Sequence, residues 1–182
     1  MNTVDPIREI SDIQKMKSVL LNSNYRDYLI FTLGINTGLR ISDILNLKIS
    51  DVRGKYHIII REQKTGKEKK FLINDLLKEE LERFIASKED EEFLFQSKRN
   101  RNKPLDRQRI YFILNVAAEE AGLKIRIGTH TLRKTFGFHF YQRTKDIALL
   151  QQLFNHSGQS VTLRYIGINQ SISDQAMRTF NL

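Results

Sequence analysis

The sequence predicts a mainly α-helical domain that contains one small antiparallel β-sheet. Apolar residues recur at helical spacing in most segments, and only residues 56–60 and 68–73 are clearly strand-like. Between those two segments lies Lys64-Thr65-Gly66-Lys67, a turn sequence typical of a β-hairpin. A chain of 182 residues is long enough for one domain with its own hydrophobic core. We therefore predict a single domain over residues 1–182.

The first half of the chain is predicted to hold four helices, with the hairpin before the fourth. Ser11 with Gln14 three positions later has the pattern of a capping box, so the first helix is predicted to begin at Ser11. Gly38 breaks the periodicity after the second helix, and Asn74 is predicted to cap the fourth. These helices cover residues 11–21, 24–35, 40–47 and 74–87.

The second half is predicted to be helical apart from a short strand at residues 92–95. Asp106 is typical of an N-cap, and Gly122 is typical of a helix end. The helices predicted here cover residues 106–122, 130–142, 146–154, 160–165 and 173–180.

Charge and composition restrict the function. The net charge of +9 and the pI of about 9.8 favour a polyanionic partner, most often nucleic acid, over a basic protein without such a partner. The absence of cysteine excludes disulfides, thiol nucleophiles and cysteine-based zinc sites. No signal peptide and no apolar run of about 20 residues is present. We therefore expect a cytoplasmic protein with no membrane partner.

Two arginines, two histidines and a tyrosine are candidates for attack on a phosphodiester. Arginine forks fit the non-bridging oxygens, imidazoles move protons, and a phenol can be the nucleophile. His130 and Arg133 share a helical face, although two unrelated surface residues would show the same spacing. Arg40 follows a glycine-containing bend, where Asp43 can orient it or form only a surface ion pair.

The other candidates are weaker when taken singly. Lys64 at the hairpin tip can protonate a leaving oxygen, with Lys67 as a substitute, or can belong to a solvated loop. His156 near a helix end is more often structural. Tyr165 is favoured as nucleophile over Tyr141, which follows the His130 segment.

Basic residues also crowd the hairpin and the stretch before Asp106, where we predict DNA phosphate contacts instead of a merely solvated surface. The predicted contacts are Lys67, Lys69, Lys98, Arg99, Arg101, Lys103 and Arg107. The phosphate loop of ATP-using enzymes and a carboxylate cluster for a metal pair are both missing from the sequence, so no cofactor and no metal are predicted.

Taken in order, the motifs resemble the catalytic domain of the tyrosine recombinase (phage integrase) family. They are Thr37-Gly38-Leu39-Arg40-Ile41-Ser42-Asp43, Gln63-Lys64-Thr65-Gly66, His130-Thr131-Leu132-Arg133, Asn155-His156 and Thr162-Leu163-Arg164-Tyr165. The resemblance covers nearly the whole chain. One departure is Asn155, where the family carries glycine before the histidine; both residues tolerate a left-handed conformation.

The resemblance implies a mechanism and a division of roles. Tyr165 would form a 3′-phosphotyrosyl link, and Arg40 and Arg133 would hold the non-bridging oxygens. His130 would help to take the tyrosine proton, His156 would hydrogen-bond the phosphate, and Lys64 would protonate the 5′ oxygen. Neither ATP nor a metal is needed, because the covalent link conserves the bond energy.

The resemblance also bears on domains and partners. By this resemblance we expect that a separate N-terminal DNA-clamping domain is absent and that the chain is either a catalytic-only member or a fragment of a longer integrase. The tail at about residues 169–182 is expected to pack on a neighbouring protomer or on its own domain. Double-stranded DNA is the expected partner, with a tetrameric synapse and accessory DNA-bending proteins.

Two other functions stay open from the sequence. One is a nicking and rejoining enzyme similar to type IB topoisomerases, and the other is a non-catalytic DNA-binding regulator on the same fold. The target DNA sequence and the outcome of the reaction are not encoded in any motif that we recognise.

Overall fold

This protein consists of helices and one small sheet in a computed structural model that describes residues 4–61, 68–97, 102–128, 130–168, 177–178 and 180. Within those residues the order is α1 (Ile10–Ser23), α2 (Tyr25–Thr37), α3 (Ile41–Leu45), a 3-10 turn (Ile49–Asp51), β1 (His57–Arg61), β2 (Glu68–Leu72), α4 (Asp75–Ile85), α5 (Arg107–Glu120), α6 (Thr131–Thr144), α7 (Ile147–Phe154) and α8 (Gln159–Tyr165). The predicted fold class, mainly α with a small antiparallel sheet, is confirmed. None of the helices in the described ranges has the length and apolar character needed to cross a membrane.

Polar side chains begin several helices where the sequence predicted them. Asn74 accepts a hydrogen bond from the backbone N–H of Leu77 at 2.9 Å, and Asp106 accepts from that of Gln108 at 2.7 Å. These bonds satisfy N–H groups that have no partner within the helix. The predicted capping box at Ser11 is wrong. Helix α1 begins at Ile10, because the carbonyl of Glu9 already accepts from the backbone of the first turn.

The two strands form an antiparallel hairpin in which Ile58 pairs with Phe71. Both side chains are buried, so they form the inner face of the sheet. The turn with Lys64 and Lys67 lies outside the described residues. The strand predicted at residues 92–95 is wrong, because Leu94 donates to Leu47 while the carbonyl of Phe95 accepts from Leu105. Bonds to two different partners leave only isolated bridges, not a ladder.

Two hydrophobic clusters lie in the described structure. The main core is mostly aliphatic and draws on α1 to α5, with Leu29, Ile44 and Leu77 among its fully buried members. The smaller one, here called the C-terminal cluster, has Leu150, Phe154 and Ile166 at its centre. Partly buried residues surround it: Phe136, Phe138, Phe140, Tyr141, Ile147, Leu153, Tyr165 and Ile168. The candidate site lies against this second cluster.

Most of the predicted tail helix at residues 173–180 lies outside the described residues. Met177 and Arg178 are helical, and Met177 and Phe180 are exposed.

Candidate active site

Helix ends place the five strongest candidate residues at one site. Arg40 is the N-cap of α3, and His130 is the N-cap of α6. Tyr165 is the last residue of α8, and its ring centroid lies 5.0 Å from that of His156 and 6.2 Å from that of His130. The structure thus brings these residues, which the sequence analysis named as candidates, close to one another, and their catalytic roles stay a prediction.

Arg133 is the buried centre of the site. Its side chain lies in α6 and is only 5% exposed. Nη1 donates to the carbonyl of Gly38, and Nη2 donates to the carbonyl of Phe154 at 3.0 Å. The guanidinium also lies 4.0 Å from the centroid of the Phe154 ring. One side chain therefore ties the end of α2 to the end of α7.

Gly38 makes this arrangement possible through its backbone. It ends α2 in the left-handed conformation, with φ of 67°. A Cβ at this position would come within 2.4 Å of the Phe136 ring. Glycine is therefore required both by the conformation and by the close approach of α6.

The charge of Arg133 survives its burial. Burial lowers its pKa to about 10, while the hydroxyl of Tyr165 and the carboxylate of Asp43 act in the opposite direction. The guanidinium is thus a cation at neutral pH, and the hydrogen bonds that hold it go to two backbone carbonyls and not to a carboxylate. Such a group is suited to an incoming phosphate.

Arg40 complements Arg133 from the solvent side. Its side chain is exposed, and its Nη1 lies 4.0 Å from Oδ2 of Asp43. That distance is at the outer limit of an ion pair, so Asp43 steers Arg40 only weakly. Arg40 lowers the pKa of Arg133 and Asp43 raises it. The Asp43 carboxylate therefore offsets part of the repulsion between the two guanidinium groups.

His130 and Tyr165 form the pair that can transfer a proton. Nδ1 of His130 lies 3.2 Å from the Tyr165 hydroxyl. Burial raises the pKa of Tyr165, and the charges of Arg133 and Arg40 lower it in part. Burial, followed by the charges of Lys134, Arg133, Arg40 and Arg107, lowers the pKa of His130 below 6.5. A neutral phenol therefore faces a neutral imidazole that can accept its proton.

His156 is oriented by α8. The Thr162 hydroxyl donates to the Gly158 carbonyl at 3.1 Å, so its oxygen accepts from Nδ1 of His156, also at 3.1 Å. This leaves Nε2 as the free position of the ring. Burial and then Arg133, Arg40 and Lys69 lower the pKa of His156. The ring must therefore gain a proton before Nε2 can donate to a phosphate.

The predicted DNA contacts are only partly described. The catalytic candidate Lys64 lies outside the described residues. So do four of the predicted contacts: Lys67, Lys98, Arg99 and Arg101. Of the others, Lys103 and Arg107 are exposed, whereas Lys69 donates from Nζ to the carbonyl of Gln152 at 3.2 Å. That bond ties the hairpin to the end of α7, a contact that the charge pattern did not indicate.

Three contributors to the site were missed by sequence reasoning. Phe154 supplies a carbonyl and a ring to Arg133, Thr162 orients His156, and Lys134 has its Nζ 5.3 Å from the centroid of the Tyr165 ring. Helical spacing held a usable signal, since Lys134 is four residues after His130 and Thr162 is three before Tyr165.

Comparison with known proteins gives one consistent result. The phage integrase family matches residues 7–171. A probable integrase/recombinase, YoeC of Bacillus subtilis, is 51% identical over 180 residues, which are 99% of this chain and 98% of that protein. Tyrosine recombinase XerA of Pyrococcus horikoshii is 32% identical over 161 residues, 87% of this chain and 56% of XerA.

The fold has a counterpart among solved structures. A crystal structure of XerA recombinase matches with a TM-score of 0.78 at 23% identity, over 99% of this chain and 68% of that one. The chain thus spans nearly all of YoeC and little more than half of the P. horikoshii XerA sequence.

Proposed function

The chain belongs to the phage integrase family, and from this premise we propose that it is a site-specific DNA recombinase that works through a 3′-phosphotyrosyl intermediate on Tyr165. The observation that carries the proposal is the Tyr165 hydroxyl, 3.2 Å from Nδ1 of His130 beside two arginines. A nucleophile next to its base and to phosphate-binding cations is the arrangement that phosphodiester attack requires.

The first step is attack of the Tyr165 oxygen on the scissile phosphorus. The phenol proton passes to Nδ1 of His130, a new P–O bond joins the phosphate to Tyr165, and the bond to the 5′ oxygen breaks. Because both groups are neutral at rest, the proton moves as the bond to phosphorus forms, when the phenol becomes more acidic.

The two arginines stabilise the charge that develops on the phosphate. Arg133 is fixed in advance by two backbone carbonyls, so it needs little reorganisation. Arg40 is exposed and can close on a non-bridging oxygen when DNA arrives. The negative phosphate would also raise the pKa of His156, so that its Nε2 gains a proton and donates to the phosphate.

The leaving 5′ oxygen takes a proton from Lys64, with Lys67 as the substitute. This assignment rests on the family resemblance of the Gln63-Lys64-Thr65-Gly66 turn. A 5′ hydroxyl from a second strand then attacks the phosphotyrosine and gives its proton to the neutral amine of Lys64. The bond between phosphorus and the Tyr165 oxygen breaks, and the proton on His130 returns to Tyr165. Every bond that is broken is replaced by one of the same kind, so ATP is not consumed.

Double-stranded DNA is the proposed substrate, and the net charge of +9 supports it. Lys103 and Arg107 are exposed, and Arg107 lies near enough to His130 to lower its pKa, which supports a DNA contact beside the site. We propose that these two, with Lys98, Arg99 and Arg101, follow the backbone beside the scissile phosphate. Each contact that is removed should reduce the slope of log K against log salt by about 0.9.

Self-assembly on DNA, into a tetrameric synapse, is the proposed arrangement for strand exchange. Met177 and Phe180 of the tail are 74% and 68% exposed, so these apolar side chains are available for a neighbouring protomer. In that case, the double variant Met177→Asp with Phe180→Asp should cleave DNA and fail to exchange strands. Loss of folding in that variant would instead support packing of the tail on its own domain.

Covalent capture in cells tests the function. The tagged chain and its Tyr165→Phe variant are expressed, denatured rapidly and purified, and any DNA that stays attached is sequenced. We expect attached DNA with the wild type and none with the variant, and the enriched sequence identifies the target. Equal recovery from both proteins would contradict the proposal.

A further inference from the structure

We propose that Lys134 is a positioning residue for the nucleophile: its ammonium group, held by the N-terminal segment, lies against the Tyr165 ring and favours transfer of the phenol proton to His130. This inference rests on the proposed function. It gives a role to a buried lysine that no step of the mechanism above uses.

The geometry of Lys134 is unusual for a lysine. The residue lies in α6 and is only 6% exposed, although lysines are almost never buried without a partner. Its Nζ donates to the carbonyl of Val4 at 2.8 Å and lies 5.3 Å from the centroid of the Tyr165 ring. The ammonium is therefore fixed between the N-terminal segment and the nucleophile.

The N-terminal segment, residues 4–8, is itself held to α6 and to the chain after α8 by further hydrogen bonds. The backbone N–H of Ile7 donates to the Thr135 hydroxyl at 2.9 Å, and the carbonyl of Ile7 accepts from Nε2 of His139 at 2.9 Å. Arg8 donates from Nη2 to the carbonyl of Gly167 at 3.0 Å, two residues after Tyr165. The segment thus joins the middle of α6 to the chain directly after the nucleophile.

An ammonium in this place acts more strongly as the reaction proceeds. A cation over a neutral phenol ring is held by a cation–π contact. As the phenol loses its proton, negative charge spreads into the ring and the attraction grows. The interaction is therefore stronger in the transition state than at rest, which is the condition for accelerating a step.

Lys134 acts on His130 as well: by lowering its pKa it keeps the imidazole unprotonated near pH 6 and therefore able to accept the phenol proton. The charged and titratable groups that face His130 are Lys134 and Arg133 from α6, Arg40 beside α3, Arg107 from α5 and Tyr165 from α8. After burial, Lys134 is the largest cause of the lowered pKa of His130. Burial lowers the pKa of Lys134 itself, and the carboxylate of Asp5 opposes that effect.

Titration of His130 in the intact chain without DNA is the first test. Imidazole resonances are followed by NMR from about pH 5 to pH 8, with His130 identified by the signal lost in His130→Asn. Lys134→Gln removes the charge and keeps an N–H donor, while Lys134→Arg keeps the charge. Thr135→Val is the matched control, because it removes an anchor of the N-terminal segment without changing any charge.

The expected result separates charge from structure. In the wild type, Lys134→Arg and Thr135→Val, His130 titrates below its ordinary value of 6.5. In Lys134→Gln the pKa of His130 moves up toward that value. The proposal is overturned if Lys134→Gln titrates like the wild type, or if Thr135→Val moves His130 as far. Lys134→Met is the second neutral variant if the glutamine form does not fold.

Single-turnover cleavage of a duplex that carries the captured sequence is the second test. We expect Lys134→Gln to cleave about 3-fold to 30-fold more slowly, the range that a cation–π contact corresponds to, with unchanged DNA affinity. The loss should be larger at pH 6 than at pH 8, and Lys134→Arg should recover most of the rate. A wild type that does not cleave would overturn the proposed function, whereas equal rates for wild type and Lys134→Gln would overturn only the role of Lys134.

Discussion

The main core and the C-terminal cluster are built differently. The main core packs fully buried aliphatic side chains from several helices, such as Leu29 and Ile44. In the C-terminal cluster, the fully buried members are Leu150, Phe154 and Ile166, and half-buried aromatic rings surround them. Tyr165 is one of those rings. The proposed nucleophile is therefore packed within the less buried of the two clusters.

This difference indicates how stability and reactivity are divided. Aliphatic packing in the main core, the larger of the two clusters, should contribute most of the free energy of unfolding. In the C-terminal cluster a guanidinium, two backbone carbonyls and several ring contacts fix α7 and α8 in place. Apart from Arg133, whose loss leaves two buried carbonyls without a donor, substitutions there should therefore change cleavage more than overall stability.

The largest effect is expected from removing either arginine: both removals slow cleavage, but only that of Arg133 also lowers stability. Arg40→Ala and Arg133→Ala should each cost about 2.7–4 kcal/mol of transition-state stabilisation, by analogy with the loss of one oxyanion donor. Arg133→Ala also leaves the buried carbonyls of Gly38 and Phe154 without that donor, which costs about 1–3 kcal/mol for each. Single-turnover cleavage and urea unfolding measure the two effects.

The exposed arginine is the control for the buried one. Arg40→Ala should unfold at the same urea concentration as the wild type, because its side chain is exposed. If both variants unfold like the wild type, then Arg133 does not join the two helix ends in the way described here.

A matched pair of glycines tests the two clusters directly. A Cβ at Gly34 would come within 2.6 Å of Leu132 between α2 and α6, and a Cβ at Gly137 would come within 2.7 Å of both Phe154 and Ile166. Overpacking of this kind costs about 1–3 kcal/mol, more than the roughly 1 kcal/mol that alanine gains in a helix. Gly34→Ala should therefore lower the unfolding midpoint, while Gly137→Ala should mainly slow cleavage.

Amide hydrogen exchange shows which helices each of the two glycine substitutions destabilises. In Gly137→Ala, faster exchange should be confined to α7, α8 and the facing part of α6. Faster exchange throughout α2 in Gly137→Ala would show that the two clusters are one cooperative unit.

Lowering the pH should destabilise the C-terminal cluster before it destabilises the main core. The pKa values of His130 and His156 are both lowered from 6.5, so the unfolded chain binds these protons more readily than the folded one. The free energy of unfolding should then fall as the pH drops below about 6.5. Exchange in α7 and α8 should rise before exchange in α2, and His156→Asn should weaken that pH dependence. An identical pH dependence in α2 would contradict this order.

The smallest effect is expected at Tyr141. This residue belongs to the rim of the C-terminal cluster, with Nζ of Lys145 at 5.8 Å from its ring centroid. Tyr141→Phe keeps the ring and removes only the hydroxyl, so cleavage should change less than 3-fold by the usual scale of surface substitutions. Loss of the covalent link in Tyr141→Phe would show that the nucleophile is assigned wrongly.

Much of the architecture was predictable because local chemistry decides it. Asn74 and Asp106 cap their helices as predicted, and the hairpin has the expected pairing. Asn155, the departure from the family pattern, adopts the left-handed conformation with φ of 53°, as asparagine can. The Ser11 cap failed because the carbonyl of Glu9 already begins the helix, and the strand at residues 92–95 failed because its backbone bonds go to two separate segments.

The site was only partly predictable for a similar reason. The motifs identified the side chains that carry charge or a proton. The carbonyls of Phe154 and Val4 have no signature in sequence, since their roles depend on contacts between separate segments of the chain. The buried position of Arg133 is such a case: its residue type suggested exposure, and only packing shows that it joins two helix ends.

The most direct test of the central claim is to identify the amino acid that carries DNA. Covalent adducts captured from cells are digested with nuclease and protease, and the peptide that retains a nucleotide is sequenced by mass spectrometry. We expect a nucleotide on the peptide containing Tyr165 and on no other tyrosine. A nucleotide on Tyr141, or on any residue other than Tyr165, would contradict it.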